Sequence, residues 1–208
     1  MAGPGGEASQ ANVHAAWRMA LARRAAEAHA GNAKLAALAV AGSVGSGLAD
    51  RFSDLELDCY WFSAPGDLDR TAPVDALGGE LKKLWACDQD EEEWSEDYRL
   101  GELDVTISNF LTGTIDRFLD EVVLRADTDP VKHMRLAALQ RSRPLVGAEL
   151  IASWRARAGG YPDKLVSALV ARLQDTDRRL GAVEDRAGSV RGCALITQIC
   201  ADSDCRER

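Results

Sequence analysis

Two stretches of the sequence alternate strictly between apolar and polar residues, and this alternation limits the possible folds more than any other feature. The first stretch runs from Asp54 to Trp61 and the second from Glu102 to Ser108. Successive side chains of a β-strand point to opposite faces, so a period of two predicts strands that are buried on one face only. The chain therefore needs a sheet with one face in a core and the other face carrying polar groups.

Helical patterns and turn residues indicate what surrounds these two strands. Residues 11–30 are Ala-rich and predict an N-terminal helix, while the apolar run from Leu35 to Ala41 predicts a further strand. The Gly- and Ser-rich segment from Gly42 to Phe52 predicts a turn with room for one short helix. Residues 73–86 have a helical pattern. The acidic run over residues 88–97 is expected to be a solvated loop, because like charges repel one another and stay hydrated.

The second half of the sequence changes to a helical period. Four helices are predicted there, over residues 112–125, 130–141, 147–158 and 163–175, with proline and glycine residues between them. We therefore expect an α+β fold, in which a small β-sheet with flanking helices precedes a helical C-terminal region.

Charge and composition exclude several classes of protein. The chain has 208 residues, with 33 acidic side chains against 25 Lys and Arg and a formal net charge of −8. Its hydrophobic fraction of 46% is sufficient for a core and argues against a disordered chain. The acidic balance argues against broad binding to nucleic acid or to an anionic membrane, because phosphate backbones attract an excess of Lys and Arg.

The sequence also predicts a reduced, cytoplasmic environment and no membrane segment. Residues 1–12 lack the basic start and apolar run of a signal peptide, and no stretch reaches the roughly 18 apolar residues of a membrane-spanning helix. The five cysteines include no C-x-x-C pair, which argues against a zinc ribbon, and their odd number argues against a disulfide framework.

Three features of the sheet region point to chemistry. Gly42 and Ser43 directly follow a predicted strand, where a glycine lets a phosphate approach the backbone and a serine offers a hydroxyl. Asp54 and Glu56 are two residues apart on one strand, which puts both carboxylates on the same face with Cα atoms about 6.5–7 Å apart. Asp104 lies on the polar face of the second alternating strand, so a neighbouring strand could place it beside that pair.

These groups are the minimal set for metal-dependent nucleotidyl transfer. Two carboxylates at this spacing repel each other, and a divalent cation between them resolves the repulsion. Mg²⁺ takes a few carboxylates and fills its other positions with water and phosphate oxygens. In this scheme Asp54 and Glu56 bridge two metal ions, while Asp104 completes one site and takes the proton from an acceptor hydroxyl.

The segment from Val40 to Asp58 resembles the signature of the polymerase-β-like nucleotidyltransferase superfamily. The signature is a hydrophobic residue and Gly-Ser, about ten further residues, and then two acids separated by a hydrophobic residue, with a third acid on a later strand. Gly42-Ser43, the pair Asp54 and Glu56, and Asp104 match these positions. The resemblance implies a mixed sheet flanked by helices, Mg²⁺, and ATP or another nucleoside triphosphate as donor.

The resemblance extends over about residues 14–175 and suggests an organisation for the chain. Pro144 to Gly147, Ser153 to Arg155 and Tyr161-Pro162 look like the helical region of bacterial proteins near the aminoglycoside and lincosamide adenylyltransferases. We accordingly expect a nucleotidyltransferase catalytic domain over 12–125, a helical C-terminal region over 126–182, and a divergent tail over 183–208.

The chain departs from the family pattern in two places. The second acid is Glu56 rather than the more common aspartate, and Asp58 on the same strand face leaves a Glu56/Asp58 pair open as an alternative. The ten-residue gap after Ser43 favours Asp54 and Glu56. Residues 183–208 lack a clear amphipathic period beyond Ala194 to Cys200, whereas relatives usually continue into further helices.

The resemblance leaves two functions to compare. The first is an Mg²⁺-dependent enzyme that transfers a nucleoside monophosphate, AMP by default, from a triphosphate to a hydroxyl of a small molecule or a protein. The second is a non-catalytic binding protein with the same fold, or a partner in a toxin–antitoxin pair, because relatives of this core also serve in such pairs.

Overall fold

The computed structural model describes residues 13–159 and 162–187. The helices are α1 Val13–His29, α2 Gly42–Ser46, α3 Asp67–Asp75, α4 Thr112–Leu119, α5 Pro130–Arg141, α6 Ala148–Ala158 and α7 Asp163–Ala187, and a π-helical turn Asp120–Leu124 follows α4. The strands are β1 Leu35–Val40, β2 Leu55–Trp61, β3 Glu80–Leu84, β4 Glu93–Leu100, β5 Leu103–Leu111 and β6 Arg143–Val146. The predicted α+β class is confirmed.

All six strands belong to one mixed sheet with the order β3-β4-β5-β2-β1-β6. The two alternating stretches of the sequence become β2 and β5, which are central neighbours and run parallel in the register Leu55 to Val105. The other neighbouring pairs are antiparallel. The sequence patterns therefore identified the two strands in the middle of the sheet.

One face of the sheet is mainly apolar in its central strands. On β2 and β5 this face carries the side chains of Leu55, Leu57, Cys59, Trp61, Leu103, Val105 and Ile107. Helix α1 covers it with a row of small residues that includes Ala22 and Ala26. These side chains and α1 form the hydrophobic core. The alternate residues of both strands therefore point to the opposite face of the sheet.

The opposite face is covered at one end and open at the other. The ring of Trp154 on α6 packs edge-on against Tyr60 at 5.1 Å between centroids, and Phe110 stacks on Tyr60 at 6.0 Å. The indole of Trp154 also donates a 3.0 Å hydrogen bond to Asp116 on α4. Because this cover lies over the carboxyl ends of β2 and β5, the amino ends of both strands stay exposed.

The helix predicted over 73–86 is wrong. Helix α3 begins earlier, at Asp67, and ends at Asp75, and the chain then turns through Gly78 and Gly79 into the edge strand β3. Gly78 has a φ of +78°, a conformation that a helix interior excludes. An added Cβ at Gly79 would lie 2.6 Å from a methyl carbon of Val74, so the turn also needs a small residue there.

The solvated loop predicted over residues 88–97 is also wrong in its second half. Strand β4 begins at Glu93, and the carboxylates of Glu93 and Glu96 are buried. Glu96 is ion-paired at 2.7 Å with Arg70 of α3, and Glu93 is ion-paired with Arg135 of α5. Arginines distant in sequence therefore pair with these acids and allow them to be buried, although repulsion between like charges would otherwise keep them in contact with water.

The chain divides into two compact units, of which the first extends to Val166 and the second begins at Ser167. The boundary predicted between residues 125 and 126 lies inside the first unit. The boundary predicted between 182 and 183 lies within α7, and residues 188–208 of the predicted tail lie outside the described residues. None of the helices in the described part of the chain is long and apolar enough to cross a membrane.

Candidate active site

The sheet register puts the predicted acids on neighbouring strands. Leu55 pairs with Val105, so the preceding residues of the two parallel strands, Asp54 and Asp104, are neighbours at the open end of the polar face. Both side chains line the same cavity of about 410 Å³. Glu56 follows on the same face, beside Thr106 on β5. The register thus places the three residues on two adjacent strands.

The Gly-Ser turn lies directly against this group. The amide of Ala41 donates a 3.0 Å hydrogen bond to the carbonyl of Glu56, which fixes the end of β1 beside β2. Gly42 then turns the chain with a φ of +56° into the short helix α2, whose first turn contains Ser43. An added Cβ on Gly42 would lie 2.6 Å from the carboxyl carbon of Glu56. Gly42 therefore forms a cradle that only a residue without a side chain can provide.

The surroundings of Glu56 change the pKa of its carboxyl group. Partial burial raises its pKa, and the negative charge of Asp54 raises it further. The positive charge of Arg135 acts in the opposite direction. A cation beside Glu56 would stabilise its ionised form, and Asp54 and Glu56 are the two side chains here that could hold one.

Asp104 has a different partner. Its carboxylate accepts a 2.5 Å hydrogen bond from Arg99 of β4, and 67% of its side chain is exposed. Within residues 13–159 and 162–187, no group of three or more His, Cys, Asp or Glu side chains is arranged to hold a metal ion. Asp104, the third predicted metal ligand, therefore lies on the strand next to Asp54 and Glu56. Its negative charge is paired with Arg99.

Asp58, the alternative partner of Glu56, lies further along the same face and is only 8% exposed. Burial raises the pKa of Asp58 to about 7, and the hydroxyl of Tyr60 lies 3.4 Å from its carboxylate. A buried carboxyl that retains its proton near neutral pH is a poor ligand for a hydrated cation. The exposed positions of Asp54 and Glu56 favour that pair over Glu56 and Asp58.

Arg135 is a residue near the site that the sequence analysis did not identify. It extends from α5 to Glu91 and Glu93, and its guanidinium lies 5.2 Å from the centre of the Phe110 ring. Its charge acts on both Glu56 and Asp58. No local pattern in α5 distinguishes Arg135 from other helix-surface arginines, because its position depends on how the helices cover the sheet.

A second cavity, of about 510 Å³, adjoins the covered part of the polar face. Its lining includes Trp85, Cys87, Asp88, Glu91, Glu93 and Arg135. Three of these side chains are acidic and one is basic, so the cavity has an excess of negative charge. A group held there would lie on the β4 side of the carboxylates, away from the Gly42-Ser43 turn.

No protein-family model and no curated protein matches the chain. The assignment of a function therefore depends on the residues and their geometry.

Proposed function

We propose that the chain is an Mg²⁺-dependent nucleotidyltransferase of the polymerase-β-like superfamily, which moves a nucleoside monophosphate, AMP by default, from a triphosphate to a hydroxyl. The observation that carries the proposal is the contact between the Gly42 cradle and the carboxylate of Glu56. The space beside Gly42 is occupied by the Glu56 carboxylate, so the turn holds this carboxylate directly against backbone that a phosphate could approach. This arrangement has a clear purpose if a cation and a phosphate meet there.

Each residue has a distinct task in this proposal. Asp54 and Glu56 would hold Mg²⁺, and the backbone of Gly42-Ser43 would bind phosphate oxygens of the donor. Mg²⁺ bound there would supply Lewis-acid stabilisation to the acceptor hydroxyl and to the pyrophosphate that leaves. Asp104 completes the carboxylate set when its charge is released from Arg99, and it accepts the proton of the acceptor hydroxyl.

One observation favours the second candidate, a protein that binds nucleotide without turning it over. Asp104 is ion-paired with Arg99, and a carboxylate held by an arginine is less available to a metal ion or to an acceptor. The two candidates differ in turnover and not in binding. Release of pyrophosphate in the presence of hydroxyl acceptors supports the enzyme, and tight Mg²⁺·ATP binding without release supports the binding protein.

Calorimetry of ATP binding with and without Mg²⁺ tests the proposal. We expect wild-type protein to bind Mg²⁺·ATP about tenfold more tightly than ATP in the presence of a chelator, a difference of roughly 1.4 kcal/mol. In Asp54→Asn one ligand is lost while the shape of the side chain is preserved, so the difference between the two titrations should disappear.

Asp67→Asn is the matched control for this experiment. Asp67 is an exposed aspartate at the start of α3, and its nearest ion-pair partner is Arg70 at 3.9 Å. The control should retain the wild-type response to Mg²⁺. Two results would contradict the proposed metal site. One is wild-type ATP affinity that does not depend on Mg²⁺, and the other is the same dependence on Mg²⁺ in Asp54→Asn and Asp67→Asn.

A further inference from the structure

The cavity of about 410 Å³ at the amino ends of β2 and β5 extends beyond the proposed metal ligands. We call it the rim cavity, and the lining residues that matter here are Trp17, Arg18, Arg51, Phe52, Asp54 and Asp104. Asp54 and Asp104 form the side nearest the metal site. The other four residues come from α1 and from the loop before β2, and none of them has a role in the chemistry described above.

Two aromatic rings of the rim cavity are unusually exposed. Trp17 is 46% exposed and Phe52 is 78% exposed, although both are large apolar side chains. An arginine lies over each ring, Arg18 at 4.4 Å from the centre of the Trp17 ring and Arg51 at 4.3 Å from that of Phe52. Paired aromatic and guanidinium planes of this kind offer stacking surfaces for a flat ring.

Arg18 is held beside Trp17 by backbone acceptors. Its side chain is buried and donates hydrogen bonds to the carbonyl oxygens of His14, at 2.9 Å, and Arg51, at 3.3 Å. Its Nε is buried too, so a ligand in the rim cavity does not reach that atom. Arg18 therefore contributes the positive charge of its guanidinium beside Trp17.

From these observations we infer that the rim cavity binds the base of the donor nucleotide, which stacks on Trp17. This inference rests on the proposed function, because the base must be attached to phosphates held at Gly42-Ser43. A volume of about 410 Å³ accommodates a base together with its ribose.

Calorimetry with two probes tests the inference on the full chain. The probes are Mg²⁺·ATP and Mg²⁺·tripolyphosphate, which share the phosphate chain but differ in the base and ribose. Stacking on an aromatic side chain is expected to make ATP bind about tenfold more tightly than tripolyphosphate. Trp17→Leu should lower the affinity for ATP to that for tripolyphosphate and leave the affinity for tripolyphosphate unchanged. Trp85→Leu is the control, since Trp85 is 44% exposed, also stacks with a cation and lies outside the rim cavity.

The outcomes separate the inference from the proposed function. If Trp17→Leu leaves ATP binding unchanged, or weakens both probes equally, the base does not bind on Trp17 and the proposed function still stands. If the wild type binds neither probe, both the proposed function and the inference are contradicted. Thermal unfolding of each variant verifies that Trp17→Leu remains folded, as expected for a side chain that is already half exposed.

Discussion

Gly42→Ala is expected to reduce the rate of pyrophosphate release from Mg²⁺·ATP by about 100-fold while the protein remains folded, because a misplacement near 1 Å at a catalytic group costs on that order. The added Cβ would lie 2.6 Å from the carboxyl carbon of Glu56. Glu56 ends in a flexible side chain and can move aside at little cost in folding free energy. Its carboxylate would then no longer be paired with Asp54, and the proposed metal site would be lost.

Gly47→Ala is the control for this prediction, since Gly42 and Gly47 bound the same short helix. Both have left-handed backbones, with φ values of +56° and +79°. None of the described atoms outside the turn lies within 4 Å of a Cβ added at Gly47. The two variants therefore share the conformational strain, roughly 1–2 kcal/mol for a left-handed L-residue, and differ in the contact with Glu56.

The comparison is made by thermal unfolding and by a pyrophosphate assay on both variants. Similar losses of stability together with a large loss of rate in Gly42→Ala alone would support the role of the cradle. Equal rates in the two variants would show that the position of Glu56 does not matter, and the case for the carboxylate pair would then fail.

The parts of the fold that could be predicted are those whose signal is local. The alternation of apolar and polar residues around Leu55 and Val105 indicates strands with one buried and one open face. Strands β2 and β5 could therefore be identified from the sequence. The position of Gly42-Ser43 after a strand likewise follows from neighbouring residues. Parallel pairing of β2 with β5 then placed Asp104 beside Asp54, as expected.

The parts that could not be predicted depend on partners distant in sequence. The acidic run was expected to be solvated because nothing near Glu96 in the sequence indicates that Arg70, 26 residues away, lies against it. The pairing of Asp104 with Arg99 has a different origin: the two residues are close in sequence, and they meet because β4, which was not predicted, forms a hairpin with β5. Strand β3 was missed because Glu80 to Leu84 is charged and lies at an exposed edge, where no alternation is required.

The buried ion pair of Arg70 and Glu96 leads to the second large prediction. Arg70 Nε donates a 2.8 Å hydrogen bond to Glu96, whose other oxygen accepts one from Asn109 at 2.9 Å. Asn109 in turn accepts a 2.9 Å hydrogen bond from the indole of Trp61. This chain of contacts ties α3 to strands β4, β5 and β2. Arg70→Met at pH 8 is expected to cost about 3–5 kcal/mol, because it leaves a carboxylate buried without its countercharge.

The size of this loss should depend on pH in a defined direction. Burial raises the pKa of Glu96 to about 7, above the ordinary value of 4.5 that applies in the unfolded chain. Between these two values the folded protein binds more protons than the unfolded one, so this group's contribution to stability falls as pH rises towards 7. Removing Arg70 raises the pKa of Glu96 further. At pH 5.5 Glu96 is then neutral in the variant, and Arg70→Met should cost less than at pH 8.

Urea unfolding of Arg70→Met and of the double variant Arg70→Met/Glu96→Gln, at pH 5.5 and pH 8, measures both effects. The double variant replaces the carboxylate by a neutral group of the same shape. It should therefore be more stable than Arg70→Met at pH 8, and its loss should be similar at the two pH values. If Arg70→Met loses the same free energy of unfolding at both pH values, the ionisation of Glu96 does not govern the cost. The stability of this end of the sheet would then depend on the packing of the Arg70 side chain rather than on its charge.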